Sequence, residues 1–110
     1  MRLATEIVVQ ALIRRCFAAG AAGYVARRGD VERGALYLKI STLDGRARVL
    51  GPAPAGLDDG PGERPLVDLL SADGVADRDA EAFLRRQSEF DPDLWLVEIE
   101  DRQGRSFLEE

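Results

Sequence analysis

The chain has 110 residues, 45% hydrophobic and 32% charged, with a net charge of −5 and a mean hydropathy of −0.19, enough for one modest core and too little for two. A single cysteine, Cys16, excludes an internal disulfide and a cysteine metal cluster, and with no histidine the chain itself offers no Ser-His, Cys-His or His-metal chemistry. No apolar run approaches the roughly 20 residues of a membrane span. Glu6, Gln10, Arg14 and Arg15 interrupt the apolar N-terminal segment, which argues against a signal peptide and for a cytoplasmic protein.

Taken in chain order, Thr5 is placed to cap a first helix whose Val8, Val9, Leu12, Ile13, Cys16 and Phe17 recur at helical spacing, with Gly20 as its stop. "AGYVARR" (22–28) predicts a short strand. After the turn "GDVERG" comes "ALYLKIS", where Leu36, Leu38 and Ile40 alternate with Tyr37, Lys39 and Ser41. Asp44-Gly45 predicts a hairpin turn into "RARVL", antiparallel to its predecessor. Residues 51–64 are rich in Gly, Pro and Asp without periodicity, and read as a mobile loop. "PLVDLL" (65–70) predicts a strand with a proline at its edge. Asp77 is placed to cap a second helix with Ala80, Phe83, Gln87 and Phe90 on its inner face, ended before Pro92. "LWLVEIEDR" is the last strand, with Gln103-Gly104 ending it or opening a short hairpin toward Phe107. The order α-β-β-β-β-α-β predicts a single α+β domain over residues 1–110, with a mostly antiparallel sheet of about five strands and both helices on one face.

"RRGDVERGALYLKIS" and "RQSEFDPDLWLVEIEDR" together resemble a family of short bacterial proteins of uncharacterised function, marked by an "RRGD…GA" turn and a closing "FDPDLWVVEIEDR" signature. Here Leu96 stands where the pattern has valine, and the Gly/Pro loop has no counterpart in it. The resemblance implies a fold and no activity.

Charge is unevenly spread, with nine basic and four acidic groups in residues 1–50 against six and sixteen beyond. In the last strand Trp95, Val97 and Ile99 should face the helices, leaving Glu98 and Glu100 on the open face roughly 7 Å apart. Without a cleft or a third ligand, they read as solvated or ion-paired carboxylates beside basic strands carrying Lys39, Arg46 and Arg48. Tyr24, Tyr37, Leu94 and Leu96 are candidates for an apolar patch on that face, for a protein partner or a homodimer. Arg27, Arg28 and Arg33 are candidates for an anion clamp, with Asp30 and Glu32 close enough to neutralise them. The Arg28-Gly29-Asp30 tripeptide reads as chance, and no P-loop follows the loop glycines. A pI near 4.8 disfavours nucleic acid. The reading is a small non-enzymatic binding protein without a cofactor, catalytic residue or metal ligand. The alternatives are an anion or small-ligand sensor built on the three arginines, and a carboxylate-dependent metal protein or enzyme using Glu98, Glu100 and Asp101.

Overall fold

The computed structural model describes residues 3–53 and 65–108. In chain order its elements are helix α1 (Thr5–Ala18), strands β1 (Ala22–Arg27), β2 (Leu36–Ser41), β3 (Arg46–Pro52), β4 (Leu66–Asp68) and β5 (Val75–Ala76), helix α2 (Asp77–Phe90) and strand β6 (Trp95–Glu100). The α+β class and the element order agree with the sequence. The two-residue β5 is additional, and Gly51 and Pro52, expected in the loop, prolong β3. The rest of that loop, residues 54–64, lies outside the described residues.

The strands run β1-β6-β2-β3-β4, with β5 also paired to β3. Every pairing is antiparallel except β2 with β6, which align in parallel, Leu38 opposite Val97. A parallel pair needs a long crossover, and here it spans β3, β4, β5 and α2 before β6 slots between β1 and β2.

The helices lie on opposite faces of the sheet, which corrects the expectation that both share one. Val9, Leu12 and Cys16 of α1 pack on Leu36, Leu38, Ile40, Leu50, Trp95, Val97 and Ile99. Ala80 and Leu84 of α2 pack on Ala47 and Val49, joined by Tyr37 and Leu96. The reason is that β2, β3 and β6 carry apolar side chains on both faces, so a single helical layer would leave Ala47, Val49, Tyr37 and Leu96 in water. Strand register also moves Arg48 to the α1 side, because it pairs with Ile40 while Val49 pairs with Lys39. The expectation that Arg46 and Arg48 share a face with Lys39 is corrected by the same register. Arg48 instead forks onto Asp68, at 3.0 and 2.9 Å.

Neither predicted cap forms. Ala4 and Ala76 hold the cap positions, with no side-chain cap bond at either. The first N–H groups of α1 are met by main-chain carbonyls, Thr5 N–H by Glu32 (3.1 Å) and Glu6 N–H by Val31 (3.0 Å), while the Thr5 hydroxyl donates to Gly34 O at 2.8 Å. These carbonyls satisfy donors that every helix start leaves open. At the other end, Gly20 adopts φ +83°, the left-handed stop expected of it. In α2, Leu84 takes the buried position, and Phe90, expected inside, is 86% exposed.

Candidate functional site

The turn between β1 and β2 fastens three elements. Its Asp30 carbonyl accepts from the Trp95 indole Nε1 at 2.6 Å, and Asp30 N–H donates to Asp93 O at 2.9 Å. The Arg28 guanidinium lies over the Trp95 ring, 5.2 Å from its centroid, and pairs with Glu6 of α1 at 2.6 Å. The Arg-Gly-Asp tripeptide is thus built into the framework. It joins the start of α1 to the junction before β6.

Arg27 goes elsewhere. β1 carries a bulge between Val25 and Arg27, so that Arg27 aligns with Leu96 and turns to the α2 side of the sheet. Its Nη2 donates to Pro92 O at 2.9 Å, and among the described residues its buried Nε has no partner. Arg33 borders a separate shallow cleft with Leu3, Ala4 and Glu32. The three arginines proposed as one clamp therefore point to three places.

On the α2 side, helix and sheet leave a cleft of about 120 Å³. Leu84, Leu94 and Leu96 line it with apolar surface, and Arg27, Glu81, Arg85 and Ser88 supply its polar groups. Of the four patch candidates, Tyr24 is 47% exposed and Leu96 half-buried, whereas Leu94 is 1% exposed. Tyr37 packs under α2, its hydroxyl donating to Gln87 Oε1 at 3.3 Å. Surface on this side therefore comes from Tyr24 and the cleft rather than from a four-residue patch.

Next to the cleft runs a chain of charges. The Lys39 ammonium, 5% exposed as a residue, pairs with Asp77 at 2.8 Å and with Glu81. Burial alone would lower its pKa, but the hydrogen bonds to Asp77 and Glu81 and the charge of Glu98 outweigh burial and raise it above the ordinary lysine value. Glu98, opposite both Lys39 and Tyr24, accepts from the Tyr24 hydroxyl at 2.9 Å, and that bond raises the phenol pKa. Glu100 is exposed beyond it. Among the described residues, no three or more Cys, Asp or Glu side chains gather in a group that could hold a metal.

Asp101, the third carboxylate considered with that pair, belongs to the end of β6. Its oxygens accept from Arg105 N–H at 2.8 Å and from the Arg105 guanidinium at 3.0 and 2.8 Å. These bonds, chiefly the guanidinium's, hold the carboxyl below the usual aspartate range. A depressed folded-state value adds stability above the unfolded value, about 3.9, that is lost as pH falls through the folded one. Asp101→Asn should therefore cost about 1 kcal/mol at pH 7, the low end for a hydrogen-bonded carboxylate because Arg105 is half-exposed. In urea unfolding the gap between variant and wild type should shrink as pH falls below about 3.9 and close below the depressed folded-state value.

Cys16 is wholly buried against Gly23, its Sγ 3.1 Å from where a glycine methyl would stand, and burial raises its thiol pKa. Sequence reasoning missed the cleft because Arg27 reaches it only through a bulge, and Arg85 falls outside the Ala80, Phe83, Gln87 and Phe90 face expected to turn inward. A bulge of this kind leaves no mark in the spacing of "AGYVARR".

Fold and site define a class: a small α+β protein with a mixed sheet covered by one helix on each face, and a narrow cleft beside the second. The chain belongs to the family described as "Protein of unknown function (DUF1491)", whose model matches residues 3–109. It is similar to the crystal structure of a DUF1491 family protein from Caulobacter crescentus, with 41% identity and a TM-score of 0.82, covering 98% of this chain and 96% of that one. A solution structure of protein Atu0922 from A. tumefaciens is 39% identical with a TM-score of 0.81, covering 98% and 93%. An NMR structure of a C. crescentus DUF1491 family protein is 41% identical, with a TM-score of 0.82 over 100% and 96%. No curated protein matches the chain. Among the described residues, no helix is long and apolar enough to cross a membrane.

Proposed function

We propose that the protein is a non-enzymatic binding module of the cytoplasm that takes an extended segment of a protein partner as an added strand along β1. The observation that carries this reading is the edge itself. Among the described residues, β1 ends the sheet and pairs only with β6, and Tyr24, Val25 and Ala26 stand exposed along it. Native edges are guarded by charge, proline or brevity. β1 has six residues and no charge or proline before Arg27, and its bulge lies at the far end. An edge of this kind gives main-chain hydrogen bonds to an incoming strand, with side-chain contacts at alternate positions setting preference. The opposite edge, β4, is three residues long.

The test is selection of random peptides on the intact protein, followed by hydrogen exchange of the complex. The expected result is protection of β1 amides and a loss of at least about tenfold in affinity in Val25→Lys, with its Tm within a few degrees of wild type. Selected peptides that protect another element would overturn the reading. So would a light-scattering mass of twice 12.0 kDa at micromolar concentration that Val25→Lys returns to one chain, because a second copy would then hold the edge.

A further inference from the structure

We propose that the cleft between α2 and β6 is a binding site for a small apolar monocarboxylate, a free acid with a short branched tail. This inference is independent of strand addition on β1. Size is the first constraint. About 120 Å³ is well below the roughly 300 Å³ at which cofactor and nucleotide pockets begin. It suits a tail the size of a leucine side chain. Lining chemistry is the second. Leu84, Leu94 and Leu96 make the walls apolar, so the tail replaces water there favourably.

Charge fixes the head group. Arg27 is brought to the cleft by the β1 bulge, its Nη2 donates to Pro92 O, and among the described residues its buried Nε N–H meets no acceptor. Such a group costs free energy until an acceptor reaches it, and a carboxylate can take two parallel N–H bonds from one guanidinium edge. Arg85 supplies the second cation. Among the described residues it forms no ion pair, although Glu81 and Glu89 stand one helical turn to either side. Glu81, the one acid in the lining among the described residues, is turned to Lys39, which offsets its repulsion of an anion. Two arginines above an apolar floor favour a group that is negative at one end and greasy at the other.

The test is an NMR titration of the intact protein with 4-methylpentanoate, following the Arg27 Nε–H and the Leu94 and Leu96 methyl resonances. Two comparators accompany it, 4-methylpentanamide, which keeps the tail and loses the charge, and sulfate, which keeps charge and loses the tail. The expected result is saturable movement of all three sets with the acid at millimolar concentration. The amide should bind at least about tenfold more weakly, and sulfate should leave the methyls unmoved. Arg85→Gln, at an exposed helix position, should weaken the acid by about tenfold with the remaining spectrum unchanged. That variant keeps the test decisive if Arg27→Gln fails to fold. Equal response to acid and amide, no saturation, or an unaffected Arg85→Gln would overturn the proposal. If N-acetyl-leucine bound more than about tenfold tighter than the free acid, a peptide terminus would be the occupant and the small-acid assignment would fall.

Discussion

Gly29→Ala should cost about 3 kcal/mol or more, the top of the range for forcing extra atoms into a packed site. A methyl at Gly29 would meet the Leu94 carbon and carbonyl oxygen, each 2.5 Å away, and would run into the Asp93 carbonyl as well. These are main-chain atoms at the entrance to β6, and no side chain can swing aside to make room. Gly34→Ala should behave similarly, with Trp95 Cδ1 at 2.8 Å and the Asp30 carbonyl at 2.9 Å. Gly20→Ala is the control. It has open space within 4 Å and a positive φ, so it should cost only the left-handed penalty of about 1 to 2 kcal/mol. Urea unfolding of the three variants separates crowding from backbone conformation. Equal losses at Gly29 and Gly20 would show that close approach to β6 is not what requires glycine there.

The second large effect belongs to Lys39. Lys39→Ala should cost about 2 to 3 kcal/mol at neutral pH, combining a lost buried stem with two carboxylates left unpaired. It should stay below the figure for a fully buried pair, because the Asp77 and Glu81 side chains are 48% and 42% exposed and water can take them up. Lys39→Met keeps the stem and should cost about 1 kcal/mol or less. The sign of the pH dependence follows from the raised pKa. Stability from a raised lysine is complete below its unfolded value, about 10.4, and is lost as pH rises through the folded one. The gap between wild type and Lys39→Met should be flat from pH 6 to about 9 and close above about 10.5. A gap that persisted on the alkaline side would mean that packing, not charge, is what Lys39 supplies.

Much of this architecture was legible in the sequence. The alternation of Leu36, Leu38 and Ile40, the Asp44-Gly45 turn, Gly20 and Pro92 each place an element where the structure has it. Trp95, Val97 and Ile99 face the core as expected. The sides of the sheet were harder, because β2, β3 and β6 are apolar on both faces and alternation alone does not say which set a given helix covers. For the same reason Arg48 was assigned the wrong neighbours, since facing depends on its register with Ile40. Of the cleft, Leu94 and Leu96 were visible as apolar candidates and Arg27 as a possible anion ligand. Their meeting with Arg85 depends on a bulge and a helix placement that are tertiary facts.

The position of β6 bears on how the chain is made. β1 leaves the ribosome well before the strand it pairs with, which begins at Trp95, nearly seventy residues later. At roughly 5 to 20 residues per second, β1 and α1 wait several seconds for that neighbour during synthesis. Until then neither long side of β1 is paired, and the Leu36, Leu38 and Ile40 row has β3 but not β6 beside it. The nascent chain is thus exposed to wrong strand pairing until β6 emerges, and loss of β6 would remove the centre of the sheet rather than its margin.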